Sequence, residues 1–151
     1  MAVGDTSIFE EVALNIGNNN HNFASDSFSM ILITSLPNIN QATPDRTNFT
    51  EVTAGGSYST GGIALTTTYT EVGGVATFDI TNAPSWAKLA GSPSGIVAGL
   101  IVNDTLAGTD NDGVAFVDFT ADSGVTPVSM VDSTINANPH ANGLFALTIT
   151  P

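Results

Sequence analysis

The chain is expected to be all-β, a single-domain antiparallel β-sandwich or jelly-roll-like barrel of about eight strands, and three observations lead there. Glu, Lys, Gln and Arg, which with Ala usually fill the solvent-facing positions of helices, number only seven in 151 residues. In their place stand 20 Thr with many Val and Ile, punctuated by 15 Gly, 14 Asn and 7 Pro, which is the vocabulary of strands and tight turns. Turn signals also recur at short intervals along the whole chain, as sandwiches and barrels require. A domain of this length buries about 68–70% of the surface its unfolded chain exposes, so a core can form without covalent staples. The absence of cysteine fits that, and it excludes a disulfide framework, a thiolate nucleophile and any Cys-rich zinc site.

The elements follow in order. Residues 1–24 read as an N-terminal strand or arm ahead of a β-sandwich core at 25–151, the whole forming one domain. Ser7 with Glu10 three residues on, followed by Val12 and Leu14, fits a capping box that opens a short helix. Ile8 to Ile16 running into Gly17-Asn18-Asn19-Asn20 fits a strand and turn, and the strand is preferred. Phe28 to Thr34 is almost continuously apolar and predicts a strand buried on both faces. Phe49 to Thr53 alternates briefly. Gly62 to Val72 reads as one strand with Ile63, Leu65, Thr67 and Tyr69 on a common face. The pair Gly73-Gly74 then leads into Val75 to Ile80, a hairpin signal because the favoured two-residue turns need positive φ, where glycine meets no Cβ clash.

Asn82-Ala83-Pro84-Ser85-Trp86 interrupts the pattern, and Gly91-Ser92-Pro93-Ser94-Gly95 is a loop. Ile96 to Asn103 predicts a central strand and Asp104 to Gly113 a polar turn. Val114 to Phe119 alternates, with Val114, Phe116 and Asp118 opposing Ala115, Val117 and Phe119. Val128 to Val131 is a short, faintly patterned strand. Leu144 to Ile149 is the last strand, after an Asn142-Gly143 turn.

Charge narrows the function. Arg46 and Lys88 are the only permanent cations against fourteen Asp and Glu, giving a net charge of −12. Nucleic acid and anionic lipid both require basic clusters, so neither is an expected partner. Charged residues make up 11% of the chain, against about 25% in ordinary soluble domains, so the surface must be built from uncharged polar groups. No run approaches the roughly 18 apolar residues that span a bilayer, and the N-terminus has no basic region ahead of an apolar one. Neither a signal peptide nor a membrane anchor is expected.

The chemistry available is sparse. His21 sits in an Asn-rich turn and His140 follows Asn138-Pro139, each without a neighbouring nucleophile, so no enzyme activity is expected. Gly91 to Gly95 is not a nucleophile elbow, because Pro93 stands where that motif needs serine. Asp104, Asp110, Asn111, Asp112 and Gly113 gather the oxygen ligands that Ca²⁺ prefers, with Asp104, Asp110 and Asp112 as the carboxylates. The spacing is not that of an EF-hand, however, and no Glu closes the loop. The same residues are ordinary turn vocabulary, the preferred reading, so no metal or cofactor is expected. Trp86, Phe78 and Tyr69 form either an aromatic platform for a glycan or part of the core, and the core is preferred. Asn48-Phe49-Thr50 and Asn103-Asp104-Thr105 match the glycosylation sequon, as chance allows in an Asn- and Thr-rich chain.

The succession of short motifs adds one more reading. Met30-Ile31-Leu32-Ile33-Thr34, Glu51-Val52, Gly61-Gly62-Ile63-Ala64-Leu65, Phe78-Asp79 and Ala83-Pro84-Ser85-Trp86 occur in an order that resembles a set of small virion proteins of tailed bacteriophages. Val97 to Thr105, Val114 to Phe119 and Asn142 to Ile149 extend the likeness, which covers roughly residues 8–150. Gly17 to Asn22 and the insert Leu89 to Gly95 depart from it. The resemblance implies a virion structural protein of the capsid decoration or cement kind. Such a protein binds the outer surface of a phage head and stabilises contacts between major capsid protein subunits. A tail or head-fibre part and a carbohydrate- or receptor-binding β-module are the alternatives. The symmetry of a shell makes a homotrimer the expected oligomer. Arg46, Lys88 and Trp86 are the candidate interface residues, with at least one of the two cations expected to meet a carboxylate at a subunit or capsid contact.

Overall fold

The computed structural model describes residues 4–106, 111–138 and 143–148. Its elements are β1 (Thr6–Ile8), α1 (Glu11–Gly17), β2 (Phe28–Ile33), β3 (Ile63–Leu65), β4 (Thr67–Val72), β5 (Val75–Ile80), β6 (Ser85–Trp86), β7 (Ala98–Asn103), β8 (Gly113–Asp118), β9 (Ile135–Asn136) and β10 (Phe145–Thr148). Single 3₁₀ turns lie at Arg46–Asn48 and Asp104–Leu106. A five-stranded sheet has the order β1-β8-β7-β2-β3, a three-stranded sheet the order β10-β5-β4, and β6 pairs with β9. Every strand pairing is antiparallel. The fold is all-β, as the composition predicts.

The long apolar runs form the centre of the large sheet. β2, β7 and β8 are buried at every residue, so both of their faces are covered. On one face Phe28 meets Phe78 of β5 with ring centroids 5.1 Å apart, and Phe23 and Phe145 complete an aromatic cluster that joins the small sheet to the large one. On the other face Phe116 meets Phe9, 5.4 Å away, and Phe9 in turn stacks on Phe49. Gly99 of β7 leaves room for side chains of its own sheet: a Cβ there would lie 2.9 Å from Met30 Sδ and 3.0 Å from the Phe119 ring.

The Gly73-Gly74 hairpin forms as predicted, with Val72 opposite Val75 and both glycines at positive φ. Other expectations change. Ile8 to Ile16 is a short strand followed by helix α1. Phe9 and Val12 are buried while Leu14 is exposed, a spacing of three that suits a helix lying over a sheet. Ser7 belongs to β1 rather than capping the helix, and Glu10 occupies the N-cap without a side-chain bond. Residues 4–24 are therefore joined to the core by β1, Phe9 and Val12.

Gly62 to Val72 is not one strand. The chain breaks at Thr66, so β3 pairs with β2 in the large sheet and β4 with β5 in the small one. Asn82 holds the break, its side chain accepting from Thr66 N at 2.7 Å and donating to Ala64 O at 3.2 Å. Phe49 to Thr53 and Val128 to Val131 contribute only the isolated bridges Ile33–Glu51 and Ile96–Val128. β8 alternates in sequence but not in exposure. Asp118 is fully buried, and its Oδ1 accepts from Thr120 N at 2.8 Å and Thr120 Oγ1 at 2.6 Å. Asn142 and Ile149, at the ends of the last expected turn and strand, lie outside the described residues.

Candidate functional site

The acidic turn after β7 is organised by a cation already in the chain. Asp45 accepts from Thr47 N at 2.7 Å, an Asx cap that starts the 3₁₀ turn and aims Arg46 inward. Arg46 Nε donates to Asp112 Oδ2 in a short bond. Its Nη2 donates to Asp104 Oδ1 at 3.1 Å and to Asn103 O at 3.3 Å. Its backbone N–H reaches Asp112 Oδ1 at 2.7 Å. The Asp112 side chain is fully buried and Asp104 is partly exposed. Burial works against the charged guanidinium, but the two carboxylates outweigh it and hold the Arg46 pKa above its ordinary value. Burial pushes the Asp112 carboxyl up, and the bonds from Arg46 pull it back toward the ionised form.

Asp104 and Asp112 converge, but on the Arg46 guanidinium, and Asp110 lies outside the described residues. Among the described residues no three His, Asp or Glu side chains are arranged to hold a metal ion. Arg46, a candidate interface residue, ties residues 45–47 to the end of β7 and the start of β8. No ion pair of Lys88 is seen among the described residues. Its side chain is exposed, and its backbone N–H donates to Thr134 Oγ1 at 3.0 Å. Trp86 is 1% exposed and packs 6.3 Å from the Tyr58 ring. It is a core residue, and as a surface contact it is corrected. The apolar body of the indole outweighs its single N–H when β6 turns it inward.

A second polar cluster lies beside the first. Asn103, fully buried, donates through Nδ2 to Asp26 Oδ2 at 2.7 Å and lies 3.2 Å from His21 Nδ1. With that amide orientation, Nδ1 accepts and the neutral ring carries its proton on Nε2, which is buried and has no partner among the described residues. Burial lowers the His21 pKa below the ordinary 6.5, and the Asp26 charge partly offsets this. His21 lies in the loop expected, between α1 and β2, and its side chain is buried there. His140 lies outside the described residues. The burial of Asn103 also removes Asn103-Asp104-Thr105 as an accessible sequon, whereas Asn48 is exposed.

A cavity of about 710 Å³ opens between the two sheets, lined by Asp5, Met30, Asp79, Ile101, Val117 and Leu144 among others. Its described walls hold two carboxylates and no His, Lys or Arg. They set the hydroxyls of Thr6 and Ser7 and the carboxylates of Asp5 and Asp79 beside the apolar Met30, Ile101, Val117 and Leu144. Sequence reading missed these clusters because their members are 57 to 82 residues apart. Only the Asp45-x-Thr47 cap was a local signal. Tyr58 and Glu51 were likewise unremarked. The Tyr58 hydroxyl donates to Glu51 at 2.5 Å and accepts from Leu32 N at 3.1 Å, and burial raises its pKa. No protein-family model, curated protein or solved structure matches the chain. Among the described residues no helix is long and apolar enough to cross a membrane.

Proposed function

We propose that the protein is a non-enzymatic virion structural protein, a capsid decoration protein that sits on the outer surface of a phage head and bridges major capsid protein subunits. The observation that carries the reading is the internal commitment of Arg46. With that guanidinium held by Asp104 and Asp112, Lys88 is the one Lys or Arg side chain without an ion pair among the described residues, on a chain of net charge −12. Such a surface is repelled by packaged nucleic acid and complements basic patches on the outside of a shell. The order of motifs from Met30 to Ile149 that resembles phage virion proteins points the same way. A Thr- and Asn-rich exterior adds hydrogen-bonding capacity at lower desolvation cost than charged side chains. A clamp that contacts two subunits binds the assembled lattice better than free subunits and so stabilises it by linkage.

The test is to mix purified protein with expanded phage heads that lack it and image them. Regular density over the outer shell is expected, together with a raised disruption temperature. Density at a single vertex would assign a tail or head-fibre role instead. Of the aromatic residues behind the glycan-binding alternative, Trp86 and Phe78 are buried and Tyr69 is exposed.

A further inference from the structure

The free edges of the two main sheets are not alike. In the large sheet β1 and β3 are the edges, and each is three residues long. Short edges limit unwanted strand pairing. In the small sheet β4 is six residues long, has five exposed positions, and is paired to β5 without a bulge. No other element packs extensively on it among the described residues. Thr67-Thr68-Tyr69-Thr70-Glu71-Val72 has none of the usual edge protections: no Lys, no Pro, no bulge, and one charge.

The turn fixes which backbone groups are free. A two-residue loop makes Val72 and Val75 a hydrogen-bonded pair, and the alternation of an antiparallel ladder does the same for Thr70 with Thr77 and Thr68 with Asp79. Thr67, Tyr69 and Glu71 therefore direct their N–H and C=O groups away from β5, toward the open edge.

We propose that this edge is a self-association surface. Two copies pair β4 against β4, antiparallel across a two-fold axis, with Tyr69 of one copy opposite Tyr69 of the other. The two three-stranded sheets become one continuous sheet. The occupant follows from the strand's self-complementarity. Centred on Tyr69, the register sets Thr67 opposite Glu71 and Thr68 opposite Thr70, so no like charges face each other and Thr pairs lie side by side. Every outward backbone group of Thr67, Tyr69 and Glu71 then has a partner. A slip of two residues sets Glu71 against Tyr69 and leaves outward groups unpaired. Glu71, the only carboxylate on the strand, is already turned to Gly74 N at 2.6 Å. Net repulsion between two acidic copies is screened by salt, so association strengthens as ionic strength rises. The proposal does not depend on the decoration reading, and its two-fold stoichiometry stands against the trimer expected from shell symmetry.

Light scattering across a concentration series at moderate salt should show a monomer–dimer equilibrium. Thr67→Pro removes an outward N–H without touching the β5 ladder, and should weaken the dimer about 10- to 100-fold, since each copy loses a backbone bond. Its melting temperature, measured in dilute protein, should match that of the parent and so separates lost pairing from lost folding. Because the chain has no cysteine, Tyr69→Cys supplies the sole thiol. Opposed Cα atoms at about 5.5 Å lie within disulfide range, so mild oxidation should cross-link Tyr69→Cys copies, and Thr67→Cys copies should not cross-link alone. A monomer at all concentrations, a trimer, or a dimer indifferent to Thr67→Pro would overturn the proposal. If the protein is monomeric in solution but Thr67→Pro abolishes shell binding, the edge receives a foreign strand and self-association is wrong.

Discussion

The central strands of the large sheet are almost wholly apolar, while β4 of the small sheet is half threonine, and the two sheets are buried to different degrees. β2, β7 and β8 have no exposed residue, whereas β4 and β10 have no buried one. The difference lies in what covers them. The central strands have the aromatic cluster on one face and Phe9, Phe49 and Phe116 on the other, while the small sheet is anchored mainly through Phe78, Ile80 and the partly buried Phe145. The comparison teaches that stability and availability are separated in this molecule. The large sheet carries most of the buried residues, and the outer strands of the small sheet are the more exposed among the described residues.

Substitutions should divide along that line. Phe116→Ala empties a fully buried site between β8 and Phe9, and a loss of about 3–5 kcal/mol is expected by urea denaturation. A loss under about 1 kcal/mol would mean the large sheet is not the stabilising layer. Arg46→Ala should come next, at about 3 kcal/mol, because it strands the buried Asp112 carboxylate. Adding Asp112→Asn to that variant should restore part of the loss, and a double-mutant cycle showing strict additivity would mean the pair is not coupled.

The third prediction concerns acid. The folded pKa of His21 is lowered, so the unfolded chain binds its proton more readily. The contribution is complete above the unfolded value of 6.5 and is lost as pH falls through the folded value. Stability measured from about pH 7 down to about pH 5 should therefore decline, and His21→Gln should flatten that part of the curve. An unchanged slope in the variant would place the titration on carboxylates. The smallest effect belongs to β4: Val72→Thr should change monomer stability by less than about 0.5 kcal/mol. A larger change would show that β4 is part of the folded layer and not a free edge.

How much of this was legible in the chain depends on how local its causes are. β2 and β7 were legible because both faces are apolar, so the run itself records their burial. The hairpin was legible because two adjacent glycines permit the turn and little else explains them. α1 was misread because Ile8 to Ile16 supports a strand about as well as a helix, and only packing of Phe9 and Val12 onto the large sheet selects the helix. The break at Thr66 was invisible because it is held by Asn82, 16 residues away.

The same division governs the candidate site. The sequence by itself determined that the protein is all-β, acidic and poor in groups for catalysis, because these follow from residue types whatever their arrangement. Only the tertiary structure decided that Arg46 pairs with Asp104 and Asp112, that His21 is buried, and that β4 is an edge strand among the described residues. Those outcomes depend on which distant residues share a desolvated space, and desolvation, which sets the cost of leaving a charge or polar atom unpaired, is a property of the assembled fold.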